Sequence, residues 1–288
     1  MKEKNTISVF VVLITLFSAI AASFGILSDF GPGVFEYETI RGQAIEIYGK
    51  GIYHHMSADV AIQGIAQDYI TLFVAIPLLI GSLLAYRKNS LRALFLLAGT
   101  LGYFLVTYLF YTAMGMYNIM FLPYVILLCL SFFGFFLTIK RLSQLVIVSM
   151  FSLKTPKKFV GWFLIANSVS IAFLWLSIIV PPLLDGSIYP VELDHYTTLI
   201  VQGFDLGLLL PICFVSGILL LKKKAEGYLY STIYLVFLSI LMTALTAKII
   251  AMAMNDVNVI PVIFIIPSIN IITITGAVLM VKSIIKSN

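Results

Sequence analysis

The chain has 288 residues, of which 61% are hydrophobic and only 11% are charged. An average soluble domain has about 25% charged and about 45–50% apolar residues, so this composition excludes an ordinary water-soluble fold. The net charge of +5 does not indicate a nucleic-acid partner, because the basic residues lie in short turns between apolar segments. Cys129 and Cys213 lie inside apolar segments without a metal-binding or redox spacing, and we interpret both as packing residues.

Apolar segments of about 20 residues recur along the whole chain, and each is long enough to cross about 30 Å of hydrocarbon. They predict an all-α, polytopic helical membrane protein with about eight transmembrane helices in a single membrane domain over residues 1–288. The lipid bilayer is therefore an expected partner. The predicted spans are approximately residues 7–28, 66–86, 92–114, 118–139, 159–182, 199–221, 228–250 and 259–281.

The first apolar segment has two interpretations. Lys2 and Lys4 before it and Ala19-Ile20-Ala21 near its end imitate a secretory signal peptide with a small-residue cleavage site. Its length of about 21 residues favours a retained helix, since the apolar part of a signal peptide spans only about 7–15 residues. Cleavage would leave seven helices.

The charged residues separate onto alternate connections. By the positive-inside rule the basic ends and turns face the cytoplasm, which predicts a multi-pass protein of the cell membrane with both termini cytoplasmic. Fifteen of the 18 basic residues lie at these ends and turns: Lys2, Lys4, Arg87, Lys88, Arg92, Lys140, Arg141, Lys154, Lys157, Lys158, Lys222, Lys223, Lys224, Lys282 and Lys286. Eleven of the 13 acidic residues lie in the complementary, outward-facing parts: Asp29, Glu36, Glu38, Glu46, Asp59, Asp68, Asp185, Glu192, Asp194, Asp205 and Asp256.

Two connections are long enough to contain structure of their own. The extracytoplasmic loop of residues 29–65 contains the turn signal Gly31-Pro32-Gly33. After Ser57, a capping residue, good helix formers predict a helix that continues into the second span. The cytoplasmic segment of residues 142–158 mixes apolar residues with Ser and Lys, which predicts an interfacial amphipathic helix. The alternative is an extension of the fourth span.

The two halves of the chain, residues 1–141 and 159–288, are similar enough to predict two parallel four-helix repeats. Ile76-Pro77 corresponds to Leu210-Pro211, and Leu122-Pro123 corresponds to Ile260-Pro261. The two prolines are 46 residues apart in the first half and 50 in the second. Some transporters have such repeats. The alternative is chance similarity, because proline is tolerated in membrane helices.

One stretch resembles a known family. It runs from Gln67-Asp68 through the turn Arg87-Lys88-Asn89-Ser90-Leu91-Arg92 to Gly102-Tyr103-Phe104. With this polar pair, basic turn and aromatic-rich span, the chain resembles an uncharacterised prokaryotic family of multi-pass membrane proteins. The resemblance covers roughly residues 50–140 and implies no activity.

Polar residues gather at the predicted outer ends of the spans. Counting from the cytoplasmic basic turns at about 1.5 Å per helical residue places them at the outer boundary. We expect a site there, with Lys248 paired with Asp205 or Asp68; the alternative is a wetted helix edge with ordinary ion pairs. This outer polar layer comprises Asp68, Asn118, Gln202, Asp205, Lys248, Asn255 and Asp256.

All three histidines lie beyond this layer, and a cavity covered by the long first loop would bring them together. His55 and Asp59 are four residues apart, which places them on one helical face. His54 or His195 could complete an acid/base or divalent-metal cluster. Catalytic candidates are therefore His54, His55, Asp59 and His195, and the metal candidates are His55, Asp59 and His195, although no HExxH motif is present.

The spans also contain uncharged polar groups, among which Tyr108, Asn167 and Asn270 are candidates for substrate binding. The alternative is that such groups join helices by hydrogen bonds. A proton relay or ion pump usually has a carboxylate at mid-membrane, and none is predicted here. No P-loop or GxSxG motif is present, which argues against direct ATP coupling and serine hydrolysis.

These features favour small-molecule transport or binding with an extracytoplasmic-side site. The first alternative is a membrane-embedded enzyme that acts on a lipid or an extracytoplasmic substrate through the His/Asp cluster. The second is a sensor or assembly subunit. The sequence predicts neither a cofactor nor an oligomeric state.

Overall fold

The structure, a computed structural model, describes residues 2–145 and 148–285. Eight helices in this part of the chain are long and apolar enough to cross a membrane. The predicted all-α polytopic fold is thus confirmed, and the chain is an integral membrane protein. The helices are α1 (Lys2–Leu27), α2 (Ala58–Ile70), α3 (Ile76–Arg87), α4 (Leu91–Ala113), α5 (Phe121–Leu145), α6 (Lys157–Asp185), α7 (Ile200–Phe204), α8 (Leu210–Leu221), α9 (Ala225–Met254) and α10 (Val262–Lys282).

Two of the spans are interrupted by one turn of π-helix. Thr71–Ala75 joins α2 to α3, and Asp205–Leu209 joins α7 to α8. In each case the next helix has a proline at its second position, Pro77 or Pro211. Proline lacks an N–H and its ring clashes with the carbonyl four residues earlier. A wider π turn at that point relieves this conflict.

The turns that follow are also alike. Asn89 and Lys223 both adopt a positive φ, 63° and 56°, just before α4 and α9 begin. The same succession of helix, π turn, helix and left-handed turn in both halves supports the predicted repeat, which stays a prediction.

Helices α4 and α9 pack against each other at the centre of the bundle. Their contact is close because Gly99 has no side chain: a Cβ there would lie 2.4 Å from the Cβ of Val236. Around this pair, α1 packs against α2, α3 and α5, α6 packs against α8, and α10 packs against α9. Small residues permit such close helix contacts in membranes.

We call the end of the bundle opposite the basic turns the outer end, after the predicted topology, and two long loops lie there. The first outer loop, residues 28–57, contains an antiparallel hairpin of β1 (Phe35–Glu38) and β2 (Ala44–Ile47), which the sequence analysis did not predict. The second outer loop is residues 186–199. Helix α2 begins after Ser57 and continues into the second span, as predicted, but the Ser57 side chain makes no capping hydrogen bond.

The connection between α5 and α6 differs from the prediction. Helix α5 continues to Leu145, Val146 and Ile147 lie outside the described residues, and a short 3-10 turn occupies Val148–Met150. Phe151 then forms a β-bridge with Ile284. The predicted separate amphipathic helix is therefore wrong for the described part of this segment, because its backbone pairs with the end of the chain instead.

Candidate functional site

A cavity of about 640 Å³ lies among α2, α4 to α10 and the two outer loops. On α9 its lining includes Tyr234, Leu238, Leu241, Leu245 and Lys248, which recur every three or four residues and so share one helical face. Tyr234 and Lys248 are 14 residues apart, or about 21 Å along the helix at about 1.5 Å per residue. The cavity therefore extends from the outer polar layer past the middle of α9.

The walls of the cavity change character with depth. The inner part is lined by aliphatic side chains such as Ile171, Leu210, Leu238 and Ile269, with Asn167 as a polar group among them. Charged side chains line only the outer part. These are Glu192, Asp194, Asp205 and Lys248. The cavity is thus apolar inside and charged near its mouth.

The roof of the cavity is the second outer loop. Residues 192–199 all line the cavity. The guanidinium of Arg41 donates hydrogen bonds to the carbonyl oxygens of Asp194 (3.0 Å) and Tyr196 (3.1 Å). The expectation that the first loop covers the cavity is therefore only partly right, because that loop supplies Tyr53 and Met56 to the lining and otherwise holds the second loop in place.

Asp68 is enclosed beside the cavity, and it is only 2% exposed. Its carboxylate accepts hydrogen bonds from Tyr53 Oη (2.5 Å) and Tyr111 Oη (3.0 Å). On another side lies Gly25 of α1, where a Cβ would come within 1.7 Å of Asp68 Oδ2. Asp68 does not line the cavity, whereas both tyrosines do. Burial, and secondly the Asp68 carboxylate, raise the pKa of Tyr53, so its hydroxyl remains a donor.

Gln67, the neighbour of Asp68, does line the cavity. Its amide nitrogen donates to Tyr103 Oη (2.7 Å) and Thr107 Oγ1 (3.3 Å). Thr71 Oγ1 lies 2.8 Å from Tyr103 Oη and closes this network between α2 and α4. The Gln67 Oε1 atom is buried and has no hydrogen-bond partner among the described residues. Buried polar atoms normally have a partner, so this acceptor is available to water or to a ligand.

Asp205 is the first residue of the second π turn, and its Oδ2 atom accepts a hydrogen bond from Trp175 Nε1 at 2.9 Å. Trp175 belongs to α6 and also lines the cavity. The indole therefore connects α6 to the π turn at the level of the charged part of the wall.

Lys248 forms no ion pair with Asp68 or with Asp205. The only ion pair within 4.0 Å in the described part of the chain joins Lys140 to Glu3. The expected direct pairing of Lys248 with Asp205 or Asp68 is therefore wrong. The physical reason is that tyrosine and tryptophan donors already hold the two carboxylates.

The three histidines meet in the outer loops. The rings of His54 and His55 are 3.6 Å apart between centroids, and His195 Nε2 lies 2.9 Å from the carbonyl oxygen of His55. Because a carbonyl only accepts, Nε2 is the donor. His195 Nδ1 is buried and has no partner among the described residues. Of the three, only His195 lines the cavity.

The histidines do not form a metal site with the nearby acid. No group of three or more His, Cys, Asp and Glu side chains among residues 2–145 and 148–285 is arranged to bind a metal ion. The candidates His55, Asp59 and His195 are thus not brought together as ligands. Partial burial, then the neighbouring His54 and His195, lower the pKa of His55, whereas burial raises the pKa of Asp194.

The other predicted residues divide into two groups. Gln202, Asn118 and Asn167 line the cavity, as do Asp205 and Lys248. Tyr108 is instead buried in α4 and stacked against Tyr124. Asn270 is also outside the lining, because its amide donates to Thr243 and Thr246 and joins α10 to α9. Asn255 and Asp256 are exposed at the end of α9.

Three residues that shape the site were not predicted from the sequence, namely Tyr53, Gln67 and Trp175. Trp175 is one of only two tryptophans and lies eight residues after Asn167, on the same helical face. Rarity and spacing together are a signal that could have identified it. Tyr53 gives no such signal, because its hydroxyl reaches Asp68 only after the first outer loop has folded back.

A second cavity, of about 710 Å³, lies at the opposite end of the bundle, with Lys4, Tyr86 and Arg141 in its lining. None of the buried, unpartnered side-chain atoms of the described residues belongs to it. The outer cavity is therefore the better candidate for a functional site.

A scan against protein-family models and searches of curated proteins and of solved structures find no match to this chain. The resemblance noted over residues 50–140 therefore stays a prediction. Function must be argued from the site itself.

Proposed function

We propose that this protein binds a small molecule in the outer cavity or transports it through that cavity. The observation that supports this most directly is the depth of the cavity, from the roof at Glu192 to Tyr234 on α9. A transport pathway needs such a continuous space between the outer polar layer and mid-membrane. Asn167 lies in the lining as that interpretation expects, whereas Asn270 does not.

The histidine cluster gives less support to the enzyme alternative. His54 Nδ1 and His195 Nε2 are both occupied by backbone carbonyl oxygens, each at 2.9 Å. A general base must reach the proton that it abstracts. Of the three histidines only His195 lines the cavity, so the base there would be its Nδ1 alone and not a His/Asp cluster. A sensor or assembly subunit would need no deep cavity at all.

The proposal is tested by thiol accessibility on α9. Leu241 lines the cavity, whereas its neighbour Ile240 is 4% exposed and lies outside the lining at the same depth. Leu241→Cys and Ile240→Cys are placed separately in a chain with Cys129→Ala and Cys213→Ala. We expect a membrane-impermeant, water-soluble thiol reagent added from outside to modify the first variant and not the second.

Protection of both cysteines from the reagent, with both variants folded, would show that the cavity is not accessible from outside and would refute the proposal. Modification of both would mean that the helix is loosely packed and that no defined cavity exists. For transport, Leu241→Cys should also react from the cytoplasmic side in inverted vesicles; reaction from outside only would leave binding as the function.

A further inference from the structure

Resting on the proposed function, we infer that the ligand is a zwitterionic amphiphile: its apolar chain lies along the inner part of α9, its anionic group faces Lys248, and a primary ammonium lies beneath the roof.

The inner part of the cavity is mostly aliphatic and therefore fits an apolar chain. Its aliphatic lining runs about 21 Å along α9 from Lys248 to Tyr234. At the inner end the Tyr234 hydroxyl is already used, because it donates to the carbonyl oxygen of Leu209 at 3.1 Å. Asn167 is a polar side chain in that part of the lining, but most of the inner wall is aliphatic and offers a polar ligand group no replacement for its lost hydration. An apolar chain has no such hydration to lose, and its binding removes apolar surface from water.

The charges of the outer part select the head group. Lys248 has no hydrogen bond or ion pair in the described part of the chain, so its ammonium can accept a ligand anion at the level where the apolar wall begins. A simple anion would also face Asp205, Asp194 and Glu192. A simple cation would face Lys248. A zwitterion places its negative charge near Lys248 and its positive charge near the carboxylates. Such charge complementarity contributes more to specificity than to affinity.

The roof selects a group that donates hydrogen bonds. His195 Nδ1 is buried without a partner, and its other nitrogen is the donor to the His55 carbonyl, so in the neutral ring Nδ1 is an acceptor. Asp194 and Glu192 add carboxylate acceptors beside it. A primary ammonium has three N–H donors for these atoms, and a quaternary ammonium has none.

The position of Trp175 in the lining allows a direct test. In a Trp162→Phe variant Trp175 is the single tryptophan, and the replaced Trp162 is 63% exposed. The purified full chain in an uncharged detergent is titrated with three lysophospholipids that carry the same chain, brominated close to the head group so that the bromine lies at the depth of Trp175. Their head groups are phosphoethanolamine, phosphocholine and phosphoglycerol. Bromine quenches tryptophan fluorescence on contact.

We expect the phosphoethanolamine lipid to quench Trp175 at a concentration about tenfold lower than either of the others, since a lost charged hydrogen bond costs about this factor or more. Lys248→Met should raise the quenching midpoint of all three lipids, because each carries the phosphate that faces Lys248. Lys248→Arg should retain the original midpoints, and Lys222→Met, at the opposite end of the span, should not change them. The unquenched emission of Trp175 in each variant reports whether the site is folded.

Equal midpoints for the three lipids would overturn the head-group assignment and leave ligand binding in the cavity intact. No quenching by any of them, in a protein whose Leu241→Cys variant reacts from outside, would overturn the amphiphile and leave the proposed function standing. Midpoints that stay unchanged in Lys248→Met would remove Lys248 from the site. The proposed function itself is contradicted only by the thiol-labelling outcomes given above, namely no reaction of Leu241→Cys or equal reaction of Leu241→Cys and Ile240→Cys.

Discussion

Asp68 is a buried carboxylate that the fold tolerates because three groups enclose it. Two tyrosine hydroxyls donate to it, and the backbone of α1 at Gly25 closes the remaining side. A buried polar group is costly unless it is hydrogen-bonded. The arrangement couples the first span to the first outer loop, because Tyr53 belongs to that loop and Gly25 to α1.

Gly25→Ala should therefore destabilise the protein. The new Cβ would lie 1.7 Å from Asp68 Oδ2 and would push the carboxylate off Tyr53. Overpacking of this kind costs about 1–3 kcal/mol, which a fall in the thermal unfolding midpoint in detergent would report. Gly81→Ala is the matched control, since nothing lies within 4 Å of a Cβ there and alanine favours a helix. Equal midpoints for the two variants would contradict the close contact.

At the scale of elements, the two outer loops act as one cover. Arg41 joins the hairpin turn to the backbone of Asp194 and Tyr196, and His195 joins the second loop to His55. The Tyr196 hydroxyl accepts a further hydrogen bond from the backbone of Ser57 at 3.3 Å. All of these contacts must break if the roof is to move away from the cavity.

This cover should loosen as the pH falls. The pKa of His55 is lowered in the closed loops, so the closed loops disfavour protonation of this histidine. The stabilisation of the closed loops is therefore complete above the ordinary histidine pKa of 6.5 and is lost as the pH falls through the lowered pKa. The titratable neighbours responsible are His54 and His195. Hydrogen exchange of residues 190–199, corrected for the intrinsic rate, should show less protection at pH 5.5 than at pH 7.5.

Two variants separate the contributions to this pH response. His55→Gln should remove it, and unchanged loss of protection in that variant would contradict the assignment. Asp194 acts with the opposite sign, because its raised pKa favours protonation in the closed loops. Asp194→Asn should therefore enlarge the response. The effect of His55 itself should be modest, since its side chain is exposed.

The elements were predictable to different degrees. Uninterrupted apolar length is enough to locate eight spans, because only helices satisfy their own backbone in lipid. The prolines at positions 77 and 211 were visible, yet the π turns before them were not. A proline can also be accommodated by a kink or by neighbouring side chains. The β1–β2 hairpin is short, and its strand residues are mostly exposed, so no burial pattern indicated it.

At the scale of the whole molecule, the sequence predicted that polar residues lie at one end of the bundle. It did not predict which of them face the same cavity. Helix length gives the depth of a residue such as Asn167 or Asn270. It does not give the direction of the side chain when a helix is apolar on every side. Asn167 faces the cavity and Asn270 faces α9. That difference depends on which helices pack together, and packing is a property of the folded bundle.

The basic ends and turns do lie together at one end of the bundle, as positive-inside topology requires. Lys4 donates to the carbonyl oxygen of Arg87 at 2.9 Å, and Arg92 donates to that of Ile284 at 2.6 Å. The start of α1, the α3–α4 turn and the end of α10 are thus neighbours. We predict that this end faces the cytoplasm and that the roof of the cavity faces outward.

Leu153 and Thr197 test that orientation. Leu153 is 96% exposed in the α5–α6 connection, and Thr197 is exposed in the second outer loop. In a chain with Cys129→Ala and Cys213→Ala, an impermeant thiol reagent applied to intact cells should label Thr197→Cys and should label Leu153→Cys only after permeabilisation. The reverse pattern would place the cavity mouth in the cytoplasm. The ligand would then have to enter from inside, because the charged part of the wall and the roof are at the same end of the bundle.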